Sequence, residues 1–307
     1  MLVTNKVLLD AAREGAYAVG AFNINNMEFV QAITTAAAEL KSPVILAVSE
    51  GAIQYAGFEN VVSLARVASE EKDVTISLHL DHGKDMGVIE RCIDEGFTSV
   101  MIDGSHLPFD ENIAVTRKVV DRAADAGVAV EGELGRLAGI EDNVSVDEEN
   151  AIFTDPDEAA IFVERTGVDS LAIAVGTSHG AYKFKGEARL AFDRIEAIRA
   201  RVSVPLVLHG ASGVDQQHVE IANSHGASLA GTKGVPEEAI TRAVKLGICK
   251  VNIDTDMRIA FMAYVRKHLA EKPENIDPRK YLGAGRDAVM EVVKRKIELF
   301  GSKGKAE

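Results

Sequence analysis

Eight short runs rich in Val, Ile and Leu alternate along this chain with longer amphipathic stretches. The runs are 17–23, 43–49, 75–81, 99–105, 129–135, 170–176, 205–210 and 248–254. Helix-like segments lie between them at 27–41, 58–71, 85–95, 110–126, 156–166, 191–201 and 236–246. Strands that alternate with helices predict a parallel sheet, and eight such repeats predict one closed (β/α)8 TIM barrel rather than an open sheet. Local signals agree. Asp155 precedes Pro156 as an N-cap before a proline at the first helical position. Gly96, Gly127, Gly167 and Gly247 stand where helices are expected to end.

A chain of 307 residues could hold two average domains or one large barrel. No linker long enough to divide it is visible, so residues 1–307 are read as a single barrel domain. Two regions break the rhythm. Segment 136–155 is long, acidic and without clean periodicity, which suits a mobile active-site loop. After the eighth run come a helix at 256–271, a Pro-containing linker at 273–278 and an amphipathic helix at 284–300. These are extra C-terminal helices.

The formal net charge of −13 argues against nucleic acid or an anionic membrane as partner. An anionic small substrate stays open, because a metal and helix N-termini can make one pocket locally positive. Cys92 and Cys249 have apolar neighbours and read as buried reduced thiols. The first fifteen residues mix charges into an amphipathic pattern and read as a helix, not a signal peptide. No apolar stretch approaches the ~18 residues of a membrane span. A cytoplasmic enzyme is expected.

Barrel chemistry sits at the C-terminal ends of the strands. Here those ends carry Asn23, Ser49, Asp81, His82, Asp103, Glu133, His179, His209, Asn252 and Asp254. His82, His179 and His209 each end an apolar run and precede a glycine. Three imidazoles on one rim are what an open catalytic zinc site needs. The adjacent glycines allow close approach of a ligand, and their N–H groups could hold phosphate oxygens. His79, His106, His218, His225 and His268 read as structural.

Asp81 adjoins His82. Neighbouring strand residues point to opposite faces, but a strand end can turn both into the mouth. Asp81 could exchange a proton with a substrate hydroxyl, or orient a ligand histidine. Glu131 and Glu133 share a face of the fifth strand: Glu133 is near the mouth, while Glu131 lies deeper and reads as structural. Glu141, from its surroundings alone, is one acid among several in a loop. Asn252 and Asp254 alternate on the last strand, and Thr255-Asp256 lead into a helix whose N-terminus is a common phosphate site in barrels. Arg258 adds a second anionic contact. N-capping by Thr255 or Asp256 is compatible with that role.

The motifs LHLDHG (78–83), ELGRLAGIED (133–142), GTSHGAYK (176–183), LHGASG (208–213) and VNIDTDMRIAF (251–261) together resemble those of class II, metal-dependent fructose-1,6-bisphosphate aldolases. The resemblance runs over essentially the whole chain. It implies a homo-oligomeric barrel, dimer or tetramer, with one catalytic Zn2+ per subunit. It implies His82, His179 and His209 as zinc ligands and Glu133 as an alternate one. Asp81 becomes the acid/base at the C4 hydroxyl, Glu141 the residue that exchanges the C3 proton, and Asn252 the group that holds the enediolate. Gly180, Gly210, Ser212, Asp254 and Thr255 become phosphate contacts. Gly180 and Gly210 also fit a site for a monovalent cation, Na+ or K+. Asn23 joins the substrate contacts, and Ser49 and Arg258 stand near the second phosphate.

The implied reaction is reversible cleavage of fructose 1,6-bisphosphate to dihydroxyacetone phosphate and glyceraldehyde 3-phosphate, as in glycolysis and gluconeogenesis. Relatives acting on tagatose 1,6-bisphosphate tend to carry Ala-Thr-Glu where this chain has Asp254-Thr255-Asp256. The Asp-Thr-Asp form favours fructose bisphosphate. Rival readings are a tagatose-1,6-bisphosphate aldolase, a metal-dependent sugar-phosphate hydrolase and a non-catalytic sugar-phosphate protein.

Overall fold

Helix α1 (Asn5–Gly15) starts where the Thr4 hydroxyl accepts the Val7 N–H, and it lays Leu8, Leu9 and Ala12 under one end of the sheet. The computed structural model describes residues 1–136, 138–141, 144–146, 152–179 and 190–306. Side chains of 138–141, 144–146 and 179 are outside that description. The barrel strands are β1 (Val19–Asn23), β2 (Val44–Ser49), β3 (Ile76–Gly83), β4 (Ser99–Ile102) and β5 (Ala129–Leu134). A small sheet interrupts the series with β6 (Ala138–Glu141) and β7 (Val144–Val146). The barrel resumes with β8 (Ser170–Ile173), while β9 (Ser178–His179) returns to the small sheet. Strands β10 (Leu206–Leu208) and β11 (Ile248–Ile253) complete the ring, and β11 pairs with β1.

All barrel pairs are parallel, and the order around the ring is β1-β11-β10-β8-β5-β4-β3-β2. The fold is the expected (β/α)8 TIM barrel with additional C-terminal helices. Parallel strands need long crossovers, which the helices supply. Among them are α2 (Met27–Leu40), α3 (Glu50–Ala56), α4 (Phe58–Glu71), α5 (Met86–Asp94), α6 (Phe109–Ala124) and α7 (Pro156–Thr166). The Asp155 carboxylate accepts the N–H groups of Asp157 and Glu158, and Gly167 ends α7 at φ 73°, as the sequence predicts. Helices α8 (Phe192–Arg199), α9 (Gln216–Ser224) and α10 (Glu237–Leu246) follow, then α11 (Thr255–Glu271) and α12 (Pro278–Phe300). Helices α3 and α9 are additions to the sequence expectation. Phe261 of α11 packs its ring 5.3 Å from that of Phe29 on α2.

Apolar side chains fill the space between strands and helices. Inside the barrel, small and polar residues predominate. Ala21 and Ala47 leave room in the lumen, and Met101, Ala172 and Val207 form a small apolar cluster of their own. Contacts between strands that are not neighbours must cross this lumen, and among the described residues they include those of Asn23, His79, Asp81, Glu131, Lys250 and Asn252.

Several boundaries differ from the sequence expectation: α12 begins at Pro278 rather than at 284, β4 stops at Ile102 rather than at 105, and two further differences bear on the site. The run 170–176 is a strand only to Ile173, and Gly176 then takes a left-handed φ of 104°. His179 therefore sits on the separate strand β9, not on the barrel strand itself. Segment 136–155 contains a hairpin: β6 pairs antiparallel with β7 and parallel with β9, with Gly139 opposite His179. These strands are too short for periodicity to reveal. Residues 137, 142, 143 and 147–151 of the expected loop lie outside the described residues. Among the described residues no helix is long and apolar enough to cross a membrane.

Candidate active site

The site begins with a break in β3. Its register against β4 shifts between Leu80 and Gly83, and His82 adopts a left-handed φ of 49°. A bulge of this kind re-aims side chains. It reconciles the alternation problem, because Asp81 and the next residue, His82, both enter the site.

Asp81 is buried and held by two amides. Asn23 Nδ2 donates to Oδ2 at 2.8 Å, and Asn252 Nδ2 donates to Oδ1 at 2.9 Å. These come from β1 and β11, so the carboxylate is fixed from across the lumen. His82 places Nδ1 3.2 Å from Asp103 Oδ2 and 3.6 Å from Glu133 Oε2. His209, directly after β10, is 4.5 Å from His82 between ring centroids, in an edge-on arrangement. Asp81, His82 and His209 offer ligand atoms that all lie within 4.8 Å of one another, as do His82, Asp103 and Glu133. The donors are imidazole nitrogens and carboxylate oxygens, a set that suits a divalent transition metal.

Burial, and then the neighbouring His82, push the His209 imidazole below its ordinary value and favour its neutral form. Neutral imidazole is the metal-binding form. Burial alone would raise the Asp103 carboxyl. The hydrogen bond and charge of His82, the Ser105 hydroxyl and Lys84 outweigh it and hold Asp103 well below the usual carboxylate range.

Beneath the metal-type cluster runs a buried polar chain. His209 Nε2 meets Glu131 Oε1 at 2.8 Å, and Lys250 Nζ bonds both Glu131 oxygens, at 2.8 and 3.1 Å. Lys250 also reaches His79 Nε2 at 3.3 Å. His79 Nδ1 lies 2.9 Å from Ser99 Oγ and 3.1 Å from the Asn5 amide of α1. Burial, then Lys250, push His79 down to about 3, so it is neutral. Burial would raise Glu131, but Lys250 and His209 hold it ionised. Lys250 is 0% exposed and committed to these partners, which disfavours it as a Schiff-base nucleophile.

A second cluster surrounds the N-terminus of α11. Asp254 occupies the N-cap position without a side-chain cap bond, and its N–H meets Ser212 Oγ at 3.4 Å. Asp256 does not cap the helix. Its carboxylate accepts the N–H groups of Gly213 (2.9 Å) and Val214 (2.6 Å) and pairs with the buried Lys296 of α12 at 3.1 Å. It thereby braces the turn after β10, where Val214 has φ 54°. Gly210 in that turn also has a positive φ, and a Cβ there would stand 2.7 Å from the Ser178 carbonyl oxygen. Arg258 is exposed and donates from Nε to Asp254 Oδ1 at 2.7 Å. Ser49 caps α3, accepting the Ala52 N–H.

The structure thus brings together Asn23, Asp81, His82, Glu133, His209 and Asn252, and separately Gly210, Ser212, Asp254, Thr255 and Arg258. Gly180 lies outside the described residues, as do the side chains of Glu141 and His179. Glu131, set aside as structural from sequence, touches His209. Its two-residue spacing from Glu133 was the available signal, as was that of Lys250 from Asn252.

The family model "Fructose-bisphosphate aldolase class-II" matches residues 3–305. The chain belongs to this family. Class II aldolases are metal-dependent carbon–carbon lyases, and this one cleaves fructose 1,6-bisphosphate. It is 52% identical over 306 residues to a fructose-bisphosphate aldolase of Thermus caldophilus, covering 100% of both chains. A Giardia intestinalis fructose-bisphosphate aldolase is 48% identical, with 99% of this chain and 94% of the other covered. Among solved structures, the YdjI aldolase of Escherichia coli K12 superimposes with TM-score 0.81 at 35% identity, covering 100% of both chains.

Proposed function

We propose that this aldolase works with Zn2+ held by His82, His179 and His209, with Glu133 as an alternate ligand. The observation that carries this reading is the meeting of His82 and His209 beside Asp81, with ligand atoms inside one 4.8 Å cluster. When bound, zinc supplies a Lewis acid for the C2 carbonyl of the sugar. The rest falls to side chains. Asp81 takes the C4 hydroxyl proton as the C3–C4 bond breaks and its electron pair passes to the C3 side. Asn23 keeps that carboxylate aligned. Asn252, close to Asp81, is placed to donate an N–H to the enediolate oxygen. Glu141 then delivers a proton to C3, giving dihydroxyacetone phosphate beside glyceraldehyde 3-phosphate.

Gly180, Gly210, Ser212, Asp254 and Thr255 hold one phosphate at the start of α11, where helix N–H groups favour an anion. Gly180 and Gly210 also hold a monovalent cation, Na+ or K+. Ser49 and Arg258 serve the second phosphate. The protein is a single-domain, homo-oligomeric cytoplasmic enzyme of glycolysis and gluconeogenesis, and the hairpin region 136–155 closes over bound substrate.

The test is a coupled cleavage assay with fructose and tagatose 1,6-bisphosphates, paired with metal analysis. Chelation should abolish cleavage and Zn2+ should restore it, with fructose bisphosphate preferred. Full activity after thorough chelation would sink the metal assignment. Release of phosphate without carbon–carbon cleavage would instead favour a hydrolase.

A further inference from the structure

The geometry points to Glu131 and Lys250 as positioning residues that decide which nitrogen of His209 is offered to the metal. This rests on His209 being a metal ligand. Glu131 only accepts when ionised, so the 2.8 Å contact at His209 Nε2 puts the ring proton there. The lone pair is then on Nδ1, and the ring is locked against rotation. An imidazole without such a partner can carry its proton on either nitrogen.

Lys250 bonds both oxygens of Glu131 and so fixes the carboxylate plane. Its ammonium is in turn seated on His79, which Ser99 and the Asn5 amide orient. One continuous set of contacts therefore leads from α1, beneath the barrel, to the ligand at its mouth. Net stability is a poor reason for such a pair, because replacing a buried ion pair with apolar groups is often neutral or stabilising. Orientation of a ligand is a reason that apolar groups cannot supply.

The experiment uses the full chain loaded with zinc. Glu131→Gln, Lys250→Met and the double variant are titrated against a competing chelator, and the visible spectrum of each Co2+-substituted protein is recorded. Zinc affinity should fall about 10–100-fold in Glu131→Gln and in the double variant, with an altered cobalt spectrum. Lys250→Met should fall in the same direction. Wild-type affinity and spectrum alongside a lowered Tm would overturn the proposal and leave a purely structural pair. Should the charge-removing variants fail to fold, Glu131→Asp decides, since it keeps the charge but withdraws the acceptor. Unchanged metal affinity there also overturns the proposal. His209→Ala separates the two levels: if zinc still binds as tightly, the ligand assignment itself is wrong.

Discussion

His82 stands edge-on to His209, with ring centroids 4.5 Å apart and planes inclined at 69°. Their strands, β3 and β10, are four places apart in the ring of eight and so face each other across the barrel. Two walls of the barrel must close correctly for these rings to meet. Replacing either should cost the metal without unfolding the chain. In His82→Ala and His209→Ala, zinc content after dialysis should fall sharply and cleavage should be lost, while far-UV circular dichroism stays that of the parent.

Asp81 and its two amides separate proton transfer from alignment. Removing a general base typically costs about 10²–10⁴ in rate, so Asp81→Asn should lower kcat by that order. Asn23→Ala removes one hydrogen bond to the carboxylate, worth about 1.5–3 kcal/mol, and kcat should fall roughly 10–100-fold. Steady-state kinetics with zinc content held constant measures both. Equal losses in the two variants would argue that Asn23 does more than hold Asp81.

Acid should weaken the fold before the carboxylates titrate. His79 protonates near 6.5 when unfolded but only at about 3 in the barrel. Between those values the unfolded chain binds the extra proton, so stability falls as pH drops below 6.5 and is unaffected above it. The slope from this one residue is about 1.4 kcal/mol per pH unit. His209, also lowered, adds in the same direction. Denaturant melts from pH 7 to 4.5 should therefore be visibly shallower in pH dependence for His79→Gln.

The turn after β10 tolerates little. Gly210→Ala would place a methyl against the Ser178 backbone at a left-handed φ, at a cost of about 1–3 kcal/mol. Asp256→Ala would remove one of the two carboxylates that Lys296 meets, the other being Glu237 at 3.4 Å, and release two backbone N–H groups, costing roughly 1–3 kcal/mol. Both should lower Tm. Both should also raise KM for the bisphosphate, because the same turn carries Ser212. An unchanged KM would detach this turn from phosphate binding.

Much of this was legible beforehand because the barrel repeats its signal eight times. Strand ends at 81–82, 133, 209 and 252–254 follow from where apolar runs stop, and the structure brings Asp81, His82, Glu133, His209 and Asn252 together there. What escaped depends on contacts between distant strands. Glu131 and Lys250 are 119 residues apart, and nothing local announces that they bond. Asp256 looked like a helix cap because caps are local, yet its partners lie on the β10 turn and on α12. The small sheet of β6, β7 and β9 was invisible for a different reason: strands of two to four residues are too short to display a period.

The left-handed backbone at His82 has an implication for descent. Glycine is at home in that conformation, whereas a residue with a side chain occupies it at a small cost, one that histidine bears better than most. A chance change of His82 to glycine would thus relax the chain at the very point where it discards its chemistry. Lineages that lose the reaction can keep a sound barrel, with a vacant mouth ready to be refitted for another substrate.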